Sequence, residues 1–137
     1  MSYIIEDGIE LEDGTLVGEI YGVLLTTREH LMRSLDLSGV LLLREDDGVR
    51  EMLSEHLPIA YLKNVRVEEE FRGEGDGSAL VSWFISEAIR LGAKAIILES
   101  DLSNKNEFDL TEWYASYGFE ELDTFHYNPI MLYKATT

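Results

Sequence analysis

The stretch Arg72-Gly73-Glu74-Gly75-Asp76-Gly77-Ser78 lies between a strand-like and a helix-like segment. Residues 61–67 before it have strand character, and residues 79–85 after it begin an apolar stripe at helical spacing. Its three glycines allow positive φ angles, so several backbone N–H groups can converge on one small anion. The start of the following helix adds partial positive charge at the same place. The sequence therefore predicts an anion-binding loop suited to phosphate.

Two common nucleotide motifs fit this loop poorly. In the dinucleotide fingerprint G-x-G-x-x-G, the third glycine position is occupied by Ser78. Glu99 or Asp101 lies about where a ribose-binding acid would fall, but the chain is too short for a second nucleotide-binding half. A Walker P-loop requires a Lys before Ser78, and Gly77 stands there. Both nucleotide readings are therefore disfavoured.

The pattern of apolar residues predicts alternating strands and helices. In the first half we expect three strands at residues 3–5, 9–11 and 16–25, a helix beginning at Thr26 or Thr27, and an amphipathic segment at 49–57. In the second half, the predicted order is strand 60–67, loop 72–77, helix 78–91, strand 95–98, a short helix from Asp109, and strands 119–122 and 130–133. A strand-helix-strand unit of this length is a right-handed crossover, so its two strands should be parallel.

Composition favours one folded domain, residues 1–137. The chain is 45% hydrophobic and carries 14 aromatic residues, enough for a core. It has no cysteine, which excludes disulfides and cysteine nucleophiles. The three histidines, His30, His56 and His126, do not have metal-ligand spacing, so we expect no bound metal.

Charge limits the partners that this chain is expected to have. The formal net charge is −16, which disfavours nucleic acids and anionic membranes as partners. The excess acid fits either a cationic partner or a solubility role, and the sequence leaves both open. No signal-peptide pattern and no run of about 18 apolar residues occurs. We therefore predict a cytoplasmic protein, with a homodimer left open.

Two motifs together resemble a known family. The pattern Val65-x-Val67-x-x-x-x-Arg72-Gly73-x-Gly75-x-Gly77-Ser78-Ala79-Leu80 resembles the acyl-CoA-binding motif of the GNAT superfamily of N-acetyltransferases. Residues 113–119, Trp-Tyr-Ala-Ser-Tyr-Gly-Phe, resemble that family's second landmark. The resemblance implies an α/β (mixed α+β) fold, in which helices flank a central mixed sheet of about six or seven strands with a splayed parallel pair. Residues 1–58 would form the acceptor side and residues 59–134 the acyl-CoA-binding core.

The resemblance also implies acetyl-CoA as acyl donor and assigns residues to it. Main-chain groups of Val65 and Val67 would pair with the pantetheine arm, and the glycine loop would hold the pyrophosphate. An asparagine before the second landmark often contacts the cofactor in this family, and both Asn104 and Asn106 qualify. The residues assigned to the cofactor are Val65, Arg66, Val67, Arg72, Gly73, Glu74, Gly75, Asp76, Gly77, Ser78, Asn104 and Asn106. Glu74 and Asp76 are acidic where relatives are not, so we predict weakened affinity.

The resemblance further implies a catalytic role for Tyr114, which would protonate the departing thiolate. No glutamate occurs within residues 62–67, so Glu99 or Asp101 is the candidate base for the amine. The predicted activity is acetyl transfer to a primary amine, either of a cationic small molecule or of a protein lysine or N-terminus. The alternative is a catalytically weak or vestigial CoA-binding domain whose acidic surface binds a basic protein partner.

Overall fold

A computed structural model of the chain describes residues 3–38, 47–100, 110–122 and 130–135. The strands are β1 Tyr3–Glu10, β2 Leu16–Leu25, β3 Ile59–Val67, β4 Ala95–Glu99, β5 Glu120–Glu121 and β6 Ile130–Lys134. The helices are α1 Arg28–Ser38, α2 Asp47–Ser54, α3 Asp76–Arg90 and α4 Leu110–Ala115, with a 3₁₀ turn at Glu69–Phe71. Within these ranges, no helix is both long enough and apolar enough to cross a membrane.

The strands form one six-stranded mixed sheet in the order β1-β2-β3-β4-β6-β5. Strands β3 and β4 are parallel, with register from Ile59↔Ala95 to Leu62↔Leu98. Every other neighbouring pair is antiparallel. Helix α3 makes the connection from β3 to β4, as a right-handed crossover requires. The predicted mixed α/β fold and its parallel pair are thus confirmed.

Some predicted boundaries were wrong. Residues 3–5 and 9–11 do not form two strands, because β1 pairs with β2 along its whole length, from Tyr3↔Leu24 to Glu10↔Leu16. Helix α3 begins at Asp76, so Asp76 and Gly77 belong to the helix and not to the loop. The helix predicted to begin near Thr27 is confirmed: the Thr27 Oγ1 accepts a hydrogen bond from the His30 N–H at 3.1 Å.

Two hydrophobic clusters cover opposite faces of the sheet. On one face, Leu80, Val81 and Phe84 of α3 pack with Tyr114 of α4 against apolar side chains of the central strands. On the other face, Leu31 of α1 and Leu53 of α2 are fully buried in a second cluster. Side chains alternate between the faces along each strand, so each central strand contributes to both clusters. We call the two sides the α3 face and the α1–α2 face.

An irregularity lies in the middle of the sheet. Tyr21 pairs with Asn64 while its neighbour Gly22 pairs with Leu62, so Lys63 of β3 is an extra residue in the ladder. Gly22 is required here, because a Cβ atom would lie 2.4 Å from the Tyr61 carbonyl oxygen and 2.6 Å from the Phe84 ring. Such a bulge bends its strand and raises the local twist. It occurs at the residue where β3 stops pairing with β4.

Candidate active site

The parallel strands part after four paired residues. β3 continues to Val67, but its pairing with β4 ends at Leu62↔Leu98. In the part of the chain that the structure describes, no strand pairs with the β4-facing side of residues 63–67. We call this space the β3–β4 gap.

Main-chain groups of β3 face the gap. In an antiparallel ladder, alternate residues turn their N–H and C=O groups toward and away from the partner strand. The Glu68 N–H donates to the Val17 carbonyl at 2.8 Å, so Glu68 faces β2. By alternation, the main-chain groups of Val65 and Val67 face the gap. The Arg72 Nε donates to the Val67 carbonyl at 3.1 Å, consistent with this orientation.

The glycine loop leads directly into the first turn of α3. Gly73 and Gly75 have φ angles of 86° and 89°, which L side chains rarely adopt. Gly75 is the N-cap, and no side chain caps the helix. The first intrahelical bond runs from the Ala79 N–H to the Gly75 carbonyl at 3.0 Å. The N–H groups of residues 76–78 therefore lack intrahelical acceptors and are donors for an anion.

Two carboxylates flank these donors. Glu74 is exposed, whereas Asp76 is partly buried in the first turn of α3. An aspartate there stabilises the helix through its dipole, but it also repels a second anion at the same amides. A diphosphate therefore fits the backbone of the loop, while the side chains at 74 and 76 oppose it.

Helix α4 and the turn that follows it contact the start of α3 at two points. A Cβ atom at Gly77 would lie 3.5 Å from the Trp113 ring, so the two helices approach closely. The Tyr117 hydroxyl donates to the Ser78 Oγ at 2.6 Å. The second contact was not predicted from the sequence. The only signal for it was that Tyr117 lies three residues after Tyr114, a spacing that places two side chains on one face of a helix.

Tyr114 is nearly enclosed between these groups. Its side chain retains only 7% of its exposure, and its ring lies 5.1 Å from that of Trp113 and 5.9 Å from that of Phe119. Burial, with a smaller effect of Tyr117, raises the pKa of Tyr114 to about 12. The hydroxyl is therefore protonated at neutral pH, and it is a donor rather than a base.

The remaining predicted site residues are dispersed. Arg66 is exposed and pairs with Glu68, Nε to Oε1, at 3.2 Å, on the α1–α2 face opposite the glycine loop. Glu99 is exposed at the end of β4. Asp101, Asn104 and Asn106 lie outside the described residues. Across the described ranges, no three His, Cys, Asp or Glu side chains are grouped as a metal site would require.

A family comparison accounts for this arrangement. The profile of the Acetyltransferase (GNAT) family matches residues 8–119, which includes the gap, the glycine loop and α4. The chain belongs to the GNAT acetyltransferase family. By family, it is an acyl-CoA-dependent N-acetyltransferase. A search of curated proteins gave no match.

Solved structures agree on the fold. An acetyltransferase from Bacillus cereus is 16% identical with a TM-score of 0.64, over 98% of this chain and 74% of its own. A PaiA N-acetyltransferase from Thermoplasma acidophilum in complex with coenzyme A is 19% identical with a TM-score of 0.61, over 97% and 62%. The NatC complex bound to Gag peptide and CoA contains a chain that is 18% identical with a TM-score of 0.58, over 98% and 71%. This GNAT chain thus spans 62% to 74% of their lengths.

Proposed function

We propose that this chain transfers an acetyl group from acetyl-CoA to a primary amine. The observation that carries the proposal is the β3–β4 gap, where outward-facing main-chain groups of Val65 and Val67 adjoin a helix start with free amides. A pantetheine arm carries amide groups that complement a strand edge. A glycine loop that leads into a helix N-terminus is a site where phosphate groups bind.

Acetyl-CoA would supply an activated acyl carbon, and this chain's residues would act around it. The amine nitrogen forms a bond to that carbon while the carbon–sulfur bond breaks, and the amine loses a proton. Main-chain N–H groups facing the gap at Val65 or Val67 would stabilise negative charge on the acyl oxygen. Their positions are fixed by the ladder with β2, so they need no reorganisation.

Tyr114 would donate a hydrogen bond to the sulfur of the leaving group. A thiol has a pKa of about 8.5, whereas burial raises the pKa of Tyr114 to about 12. Full proton transfer from Tyr114 to the thiolate is therefore uphill, and its main contribution would be a hydrogen bond to the sulfur. Solvent then delivers the proton that completes the thiol.

The proton released by the amine needs an acceptor. Glu99 lies at the end of β4, beside the point where the two parallel strands separate. Glu99 or Asp101 would take the proton, through a water molecule where direct reach is lacking. Glu99 is exposed to solvent, so a water-mediated path with rapid loss of the proton to solvent suits it better than direct abstraction.

The acceptor that we propose is cationic. Residues 1–27 contain six Asp or Glu and neither Lys nor Arg. Of these, Glu6 of β1 and Glu19 of β2 lie on the α1–α2 face of the sheet. β2 is the neighbour of β3, the strand that borders the gap. Their field attracts a polyamine or a lysine-bearing peptide. The same attraction would serve the alternative, a weak CoA-binding domain with a basic partner.

Turnover with defined amines separates the two possibilities. The chain is incubated with acetyl-CoA and either spermidine or a lysine-containing peptide, and free thiol is measured. We expect amine-dependent thiol release, a fall of about 10-fold or more for Tyr114→Phe, and CoA affinity close to that of the wild type. The control is Tyr133→Phe, which removes a hydroxyl from a residue outside the gap. No turnover with either amine, together with binding of a basic protein, would favour the alternative.

A further inference from the structure

The outer edge of β1 is unusually apolar and acidic. Four large hydrophobic residues are exposed in the described ranges: Tyr3, Ile4, Leu11 and Ile89. Three of them belong to the hairpin formed by β1 and β2, and Ile4 retains 63% of its exposure. β1 is the terminal strand of the sheet order, so no strand among the described residues pairs with the main-chain groups on its outer side.

The identity of those main-chain groups follows from the ladder. Val17 faces β3, since its carbonyl accepts the Glu68 N–H, so its neighbour Gly18 faces β1. Gly18 pairs with Ile9, and the alternation continues along β1. Ile5 and Ile9 consequently face β2, whereas Ile4, Glu6 and Gly8 turn their N–H and C=O groups to the free edge.

We propose that this edge binds an extended, basic segment of a partner protein as an added antiparallel or parallel strand. Main-chain hydrogen bonds to Ile4, Glu6 and Gly8 would supply affinity, and Ile4 would contact an apolar side chain of the segment. The hairpin carries six carboxylates and no Lys or Arg, so a segment containing Lys or Arg is favoured by charge.

The same charges disfavour the obvious competing occupant, a second copy of this chain. Natural edge strands avoid self-association by carrying charge, and here every charge is negative. A copy would bring Glu6, Asp7 and Glu10 toward an identical set, within a molecule of net charge −16. Like charges across a strand pair are destabilising. The edge therefore selects a cationic strand over its own copy.

This docking site is separate from the proposed acetyl acceptor site. Strands in a sheet lie about 4.8 Å apart, so a segment added outside β1 lies three spacings, about 14 Å, from β3. A lysine on the bound segment does not reach the β3–β4 gap from there. The proposal thus goes beyond the acetyl-transfer function, and either one stands if the other fails.

Three peptides test the proposal on the intact chain. They are an alternating Lys–Val octapeptide, an alternating Glu–Val octapeptide, and a Lys–Val octapeptide N-methylated at every residue, which cannot donate a main-chain hydrogen bond to a strand. We expect the first to bind and to slow hydrogen exchange at the Ile4, Glu6 and Gly8 amides, with the other two at least about 10-fold weaker. Equal binding of the N-methylated peptide, or no binding of the first, would overturn the proposal.

Matched substitutions locate the binding site. Ile4→Thr keeps strand propensity but removes apolar contact, and it should weaken binding of the Lys–Val peptide by roughly 5-fold. Ile89→Thr makes the same change at an exposed site on α3 and should leave the binding unchanged. Glu6→Lys should weaken binding of the Lys–Val peptide further. Glu55→Lys makes the same charge change at an exposed residue just after α2, away from β1, and should have little effect. Equal effects within either pair would place the peptide elsewhere and refute the assignment.

Discussion

The Tyr117 hydroxyl donates a hydrogen bond to the Ser78 Oγ at 2.6 Å, across 39 residues of sequence. This bond joins the turn after α4 to the first turn of α3, where the amides of residues 76–78 lack intrahelical acceptors. Because Ser78 accepts from Tyr117, its own hydroxyl hydrogen is directed elsewhere and is available to a phosphate oxygen. Ser78 thus connects the segment that carries Tyr114 and Tyr117 to the proposed cofactor loop.

Loss of this bond should weaken coenzyme A binding. Tyr117→Phe removes the hydroxyl but keeps the ring, which packs edge-on against Trp113 at 5.5 Å. A hydrogen bond contributes about 0.5–1.5 kcal/mol net, so we expect the Kd for CoA to rise about 2- to 10-fold. Calorimetric titration measures it, with Tyr133→Phe as the control. An unchanged Kd would mean that the bond does not position Ser78 for the cofactor.

The raised pKa of Tyr114 predicts a stability effect at high pH. The pKa is about 12 in the folded chain and near 10 in an unfolded chain. The protonated hydroxyl therefore contributes full stability below pH 10, and this contribution falls as the pH rises through 12. Relative to Tyr114→Phe, the wild type should lose about 2 kcal/mol of unfolding free energy between pH 9 and 12.

Urea denaturation of both proteins across this pH range measures the difference. Comparison with Tyr114→Phe is needed because other tyrosines and lysines titrate in the same range and affect both proteins alike. A constant difference in unfolding free energy from pH 9 to 12 would contradict the enclosed position of the Tyr114 hydroxyl.

The acidic loop predicts a substitution that improves affinity. Glu74 is exposed between two positive-φ glycines, so Glu74→Lys changes charge without disturbing packing. One unit charge about 4 Å from another contributes about 1 kcal/mol in water, and reversal of the charge doubles the change. We expect CoA to bind about 30-fold more tightly at low salt, and less so at high salt. Glu55→Lys, an equal charge change on α2's side of the sheet, should give less than a 2-fold effect, and equal effects would argue against a phosphate at this loop.

Gly22 should resist any side chain. A Cβ atom there would meet both the Tyr61 carbonyl oxygen and the Phe84 ring at less than 3 Å. Gly22→Ala should therefore cost about 1–3 kcal/mol of unfolding free energy. At Gly8, the nearest atom to an added Cβ is 3.5 Å away, and Gly8→Ala should be close to neutral. Thermal or urea unfolding compares the two; similar losses would contradict the close approach of β2 to the Phe84 ring.

Much of the fold was predictable because the signals were local. The apolar stripe of residues 78–91 and the run Ala95-Ile96-Ile97-Leu98 specify a helix and a buried strand without reference to the remaining chain. The crossover rule then makes β3 and β4 parallel. The glycines at 73 and 75 predicted positive φ angles, which the structure shows at both positions.

What the sequence did not reveal depends on pairing between distant residues. The bulge at Lys63 exists only in the register between β2 and β3, and single-strand patterns do not determine register. The Tyr117–Ser78 bond depends on how α4 docks on α3. Ile89 lies within the apolar stripe of residues 78–91 but is 42% exposed, so helical periodicity alone did not determine its burial. Register, helix docking and burial all depend on tertiary packing, which local sequence patterns do not specify.

Backbone amide spectra of the labelled chain, recorded during titration with coenzyme A, test the central claim most directly. Main-chain groups are proposed to hold the cofactor, so the amide resonances of Gly73, Gly75, Gly77 and Ser78 should shift together with those of Val65 and Val67. Resonances of the β1 edge, such as Gly8, should remain in place. Absence of shifts in the glycine loop at millimolar coenzyme A, or shifts confined to other surfaces, would contradict the proposed acyl-CoA site.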